Sequence, residues 1–239
     1  MITQAIINIL TILANTIQPT IGDYFTEKNY RRNYEILRQI TFVFFGISSV
    51  VAVGLFSLIT PFVRDIWLGP SYELGWGTAV LCIVVLMVRI MGLPLNMVMG
   101  VTGLFEKEKN VGASSAILNL VVSLALVKPY GMTGVLLGTL VSYLLQICYR
   151  YIIYFRDFLQ MREEALRYAR DLGEYLAVMA AEVALMQKVV PVVYGNGGMV
   201  LFCICFLLCI LVPLALDAVF FGRGWRLQSI VRMVRGMRR

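Results

Sequence analysis

Histidine is absent from this 239-residue chain, and Asp, Glu, Lys and Arg together make up only 15% of it. Without histidine there is no Ser–His or Cys–His nucleophile pair and no imidazole to ligate a metal. No G-x-S-x-G, no phosphate-cradling P-loop and no D-x-D acidic pair occurs either. Hydrolysis and group transfer have no residues to work with, so neither an enzyme nor a bound cofactor is expected. The scarcity of charge excludes something broader. Soluble domains carry about 25% charged and about 45–50% apolar residues, whereas 59% of this chain is hydrophobic, with a mean hydropathy of +0.80.

The missing charge is missing in blocks. Between Arg38 and Arg64 lie 25 uncharged residues, between Lys109 and Lys128 lie 18, and between Lys128 and Arg150 lie 21. A bilayer core is crossed by roughly 20 apolar residues in a helix. The fold class is therefore an all-α integral membrane protein. Seven spans are read: Met1–Ile21, Gln39–Val63, Gly75–Gly103, Val111–Val127, one from the Pro129-Tyr130-Gly131 turn to about Cys148, Gly173–Tyr194 and Met199–Phe221. Glu106-Lys107-Glu108-Lys109 reads as a tight charged turn, and Gly195-Asn196-Gly197-Gly198 as another. Residues 1–149 form a five-helix bundle, and 150–172 a cytoplasmic amphipathic segment. In that segment Phe155, Phe158, Leu159, Leu166 and Tyr168 alternate with Arg156, Arg162, Arg167 and Arg170. Residues 173–222 add two spans, and 223–239 are a basic tail whose Trp225, Ile230, Met233 and Val234 suit the anionic inner leaflet.

A net charge of +7 needs no nucleic acid to explain it. The loops after spans one, three and five hold four, two and five basic residues and the tail six, against Arg64 and Lys128 on the other side. Basic loops stay in the cytoplasm, so the C-terminus is expected inside and the N-terminus outside. No basic segment precedes the first span, so no cleavable signal is expected, and the chain reads as if something upstream had been removed. Cys82, Cys148, Cys203, Cys205 and Cys209 all fall in apolar spans. They read as small apolar residues, not as disulfide or metal ligands.

Polar side chains at depth are costly and therefore informative. Gln4, Asn8, Thr11, Asn15 and Gln18 recur at helical spacing on one face of the first span. They form either a stripe of interhelical hydrogen bonds or the wall of a hydrated substrate cavity. Arg89 lies near the middle of the third span, with Asn96 seven residues on and Pro94 between them. A guanidinium there costs at least ~2.5–3.5 kcal/mol on insertion scales. It serves either an anionic group such as a phosphate or an ion pair with Glu182, the carboxylate read within a span. Ser115, Asn119 and Ser123 make a milder strip in the fourth span, and Gly134-x-x-x-Gly138 permits close helix packing in the fifth.

Several stretches resemble polysaccharide and O-antigen flippases of the multidrug/oligosaccharidyl-lipid/polysaccharide exporter superfamily, a MATE-like group. Ile117-Leu118-Asn119-Leu120-Val121-Val122-Ser123-Leu124, followed by Lys128-Pro129-Tyr130-Gly131-Met132-Thr133-Gly134-Val135-Leu136-Leu137-Gly138-Thr139, is similar to the family's LN…S…LV…YG..G…GT pattern. Gly103 to Lys109 resembles the basic loop ahead of it, and Pro61 to Gly69 with Tyr72 resembles a P-F…W-L-G…Y segment. The resemblance spans the whole chain but only the last seven helices of a fourteen-helix member, lacking the N-terminal bundle. It implies a transporter of the bacterial inner membrane that flips a lipid-linked oligosaccharide for polysaccharide, lipopolysaccharide or capsule export. It also implies a separate N-terminal half chain as partner, because rocking one bundle against another needs both. In that picture Gln4, Asn8, Thr11, Asn15, Gln18, Arg89, Asn96, Ser115 and Asn119 line a headgroup cavity. A multidrug or cation antiporter of the same superfamily, or a non-transporting membrane fragment, is the alternative.

Overall fold

The computed structural model describes residues 2–25, 29–67, 69, 75–195 and 198–221. All regular structure among them is helical, with no strand. Seven helices are long and apolar enough to cross a membrane. They are α1 (Ile2–Tyr24), α2 (Tyr30–Pro61), α3 (Trp76–Val101), α4 (Phe105–Tyr130), α5 (Met132–Ile152), α6 (Arg162–Tyr194) and α7 (Met199–Phe221). Two short π-helical turns extend α2 (Phe62–Trp67) and α5 (Ile153–Leu159). Pro61 has no N–H to return to the preceding turn, which fits a widened helix beginning just after it. The basic tail and the turn residues 196 and 197 lie outside the described residues.

Three boundaries differ from those read in the sequence, for one reason. Glu106–Lys109 is not a turn but the opening of α4; the chain turns at Thr102–Leu104, where Gly103 has φ +70°. Likewise α2 begins at Tyr30, well before the apolar run, and α6 begins at Arg162. Glu, Lys and Arg are good helix formers, so a helix continues through them after leaving the hydrocarbon. Charge marks the edge of the membrane rather than the end of the helix. Residues 150–172 correspondingly form no separate element but the end of α5, its π-helical extension and the first turns of α6. The break between them is Gln160, in the left-handed region at φ 53°.

The helices fall into two compact units, divided inside α2 and inside α6: residues 1–44 with 75–170, and 45–74 with 171–239. In the first unit α4 and α5 form a hairpin around the single residue Gly131, whose φ of +56° favours glycine. A Cβ on Gly134 would stand 2.5 Å from the carbonyl carbon of Leu126, and one on Gly138 2.9 Å from the amide nitrogen of Ser123. The G-x-x-x-G pair therefore lets two backbones touch. The aromatic side chains of 150–172 are mostly turned inward: Tyr154, Phe155 and Tyr168 are buried. Phe158 and Phe155 meet the rings of Tyr30 and Tyr34 of α2, and the Tyr168 hydroxyl lies 3.0 Å from that of Thr41.

The second unit packs Val53 and Leu58 of α2 with Met186, Val190 and Tyr194 of α6 and Cys205 and Cys209 of α7. Phe45 stacks on Tyr175 with ring centres 4.5 Å apart. All five cysteines are free. Large apolar residues stand exposed along whole faces, among them Ile117, Leu120, Val121 and Leu124 on α4 and Phe206, Leu207, Leu211 and Phe220 on α7. Such continuous faces are stable only against lipid or another protein.

Candidate functional site: a polar cavity in the first unit

α1 packs on α3 and buries Ile7, Leu10, Ala14 and Ile21, its polar stripe runs along the edge of that seam, and two cavities lie on it. The first, about 170 Å³, is lined by Ile7 and Thr11 of α1, by Val88, Arg89, Gly92, Leu93 and Asn96 of α3, and by Tyr143, Gln146, Ile147 and Arg150 of α5. The second, about 370 Å³, is lined by Asn15, Gln18, Pro19 and Gly22 of α1 and by Gly100 and Val101 of α3. Gly100 makes room for the amide of Gln18, whose nitrogen stands 2.2 Å from where a Cβ would be.

Arg89 is half-buried on the wall of the first cavity. Its Nη1 donates to Gln4 Oε1 at 3.0 Å, and the Gln4 amide nitrogen donates in turn to Asn8 Oδ1 at 2.7 Å. The guanidinium carbon lies 5.1 Å from the centre of the Tyr143 ring, a cation–π distance. Among the described residues no carboxylate comes within ion-pairing distance of it. Neutral dipoles hold this cation in place without cancelling its charge. A guanidinium has five N–H donors, and only one is engaged here. Arg150, at the same cavity, is neutralised by Glu108.

The site residues read from the sequence thus separate into three groups. Gln4 and Asn8 reach the Arg89 cavity through hydrogen bonds, and Thr11, Arg89 and Asn96 line it. Asn15 and Gln18 line the second cavity. Ser115 and Asn119 are engaged at the hairpin instead. Ser115 accepts from the amide of Gln146 at 2.7 Å, and Asn119 accepts from Ser123 at 3.0 Å, beside Gly138. Tyr143 and Gln146 were not singled out in the sequence. Thr139, Tyr143, Gln146 and Arg150 follow one another along α5 in steps of four, three and four, a spacing that carries the signal. Glu182 belongs to the second unit, where Ser49 donates to it. Asp217, buried in α7, is a second carboxylate within a span that the sequence reading left out.

No family model matches the chain, and no curated protein or solved structure is significantly similar to it.

Proposed function

We propose that this chain is part of a transporter that flips a lipid-linked oligosaccharide across the bacterial inner membrane. In this reading its N-terminus is outside, its C-terminus is cytoplasmic, and a separate N-terminal half chain provides the facing wall. The observation that carries the reading is Arg89: an intramembrane cation with neutral partners, on the wall of a polar cavity. An arginine kept only for structure is cheapest when paired with a carboxylate. One supplied with an amide and a tyrosine ring keeps its charge for an anion that comes and goes. The two oxygens of a phosphate match the guanidinium fork, and the amides of α1 offer donors and acceptors to sugar hydroxyls. The resemblance to polysaccharide flippases points to the same substrate class.

The test is export of surface glycan in a flippase-deficient strain that expresses the chain with an N-terminal half. Arg89→Ala is expected to lower export at least about tenfold, since a charge-assisted hydrogen bond contributes roughly 1.5–3 kcal/mol. Arg89→Lys keeps the charge but not the fork and is expected to retain part of the activity. Full export by Arg89→Ala, at an unchanged amount of protein in the membrane, contradicts the reading.

A further inference from the structure

The second unit holds two carboxyl groups that the Arg89 cavity does not use. Glu182 of α6 is 1% exposed and Asp217 of α7 is 6% exposed. Both side chains meet one face of α2, at Gly46 and Ser49, three residues apart. Ser49 of α2 donates its hydroxyl to Glu182 Oε2. Beyond that one bond, Glu182 Oε1 and both oxygens of Asp217 are buried with no hydrogen-bond partner among the described residues. The α2 backbone closes the third side: a Cβ on Gly46 would lie 3.9 Å from Asp217 Oδ2.

Three buried acceptor oxygens without a donor are not a packing arrangement. A buried acceptor left without a donor costs about 1–3 kcal/mol, more when it is charged. Two negative charges in contact inside a span also repel with little screening. A single small positive charge between them removes both penalties.

Among the described residues no basic side chain pairs with either carboxyl group. On α2 and its π-helical extension, the charged groups of this unit are Arg64 and Asp65, which pair with each other at 2.7 Å. On α6, Lys188 is exposed and lies six residues beyond Glu182, off its face. Asp171 and Glu174 stand two or more turns before Glu182 and are acids themselves. Tyr175 stacks on Phe45, and Tyr194 donates to Asp65 at 2.8 Å. On α7 the cysteines nearest in sequence, Cys205 and Cys209, lie at least two turns before Asp217.

We propose that Glu182 and Asp217 form an exchangeable monovalent cation site, filled by a proton or by a sodium ion and closed by Ser49. The charge count sets the class. Among the described residues no group of three Asp, Glu, Cys or His side chains is gathered, so a divalent or transition metal finds too few ligands. Two carboxylates and a hydroxyl suit one unit of positive charge. This site is independent of the flippase reading: it lies in the other unit and needs no glycan to be measured.

Purified full-length chain in detergent is titrated with 22Na+ at several pH values, and its infrared spectrum is followed for the carbonyl band of protonated carboxyls. Saturable sodium binding that protons compete with assigns the site to sodium. No sodium binding, with a carbonyl band near neutral pH, assigns it to the proton. In either case Asp217→Asn and Glu182→Gln are each expected to weaken sodium binding at least about tenfold, or to remove the band. Asp217→Glu is expected to keep much of it and, with size-exclusion behaviour, controls for folding. Neither sodium binding nor a band, or a signal unchanged in well-folded Asp217→Asn and Glu182→Gln, overturns the proposal.

Discussion

The two units treat charge inside the membrane in opposite ways. In the first, Arg89 is half-buried beside a cavity, with neutral partners on α1 and α5. In the second, Glu182 and Asp217 are buried, and one hydroxyl, that of Ser49, donates to Glu182. The contrast separates two uses of an expensive group. A charge beside open polar space can meet a large, variable ligand, whereas a charge enclosed by three helices can admit only something the size of a proton or bare ion. Polarity at depth is therefore not one signal. What surrounds the charge decides what can bind it.

Replacing the sealed pair is expected to raise stability, with the largest range of the effects below. Glu182→Leu with Asp217→Val removes both buried charges together, and such replacements are often neutral or stabilising by about 1–4 kcal/mol. Thermal unfolding in detergent, without sodium, checks this; a clear loss of stability would make the pair a structural element and erase the contrast. Next comes the hairpin of the first unit, where there is no slack. Gly134→Leu sets a side chain against the backbone of Leu126 and is expected to destabilise by roughly 1–3 kcal/mol, read by the same melt.

Smaller effects sharpen the comparison. Ser49→Ala removes the one donor that Glu182 has, and a loss of about 1–2 kcal/mol is expected. Gly100→Ala meets only the far end of the Gln18 side chain. Because Gln18 has open space to swing into, the cost is expected to stay under about 1 kcal/mol. Equal losses for Gly134→Leu and Gly100→Ala would mean that the α1–α3 seam is as tightly packed as the hairpin, contrary to the cavities seen there.

Seven helices were legible because each apolar run is about long enough to cross the hydrocarbon, and a helix satisfies its own backbone there. The ends of α2, α4 and α6 were not, since hydropathy stops at the membrane surface while helix propensity does not. The stripe from Gln4 to Gln18 and the face shared by Arg89 and Asn96 were legible through their spacing. Which neighbour a stripe meets is another matter. Ser115 and Asn119 have the same periodicity as the cavity residues, yet they serve the α4–α5 contact, because Gly134 and Gly138 draw α5 in on that side. Asp217 escaped notice as a lone acid near the end of the long apolar run from Met199 to Phe221. Its meaning appears only when α6 sets Glu182 against it.

Water at the α1–α3 seam is the point on which the account turns. Single cysteines at Thr11, Asn15 and Asn96, and at Ser49 as the sealed reference, are introduced after the five native cysteines are replaced. They are then treated in native membranes with a membrane-impermeant maleimide from each side. Fast labelling of positions 11, 15 and 96, with position 49 unreactive, is the predicted result. Equal protection of all four positions would contradict a hydrated cavity beside Arg89.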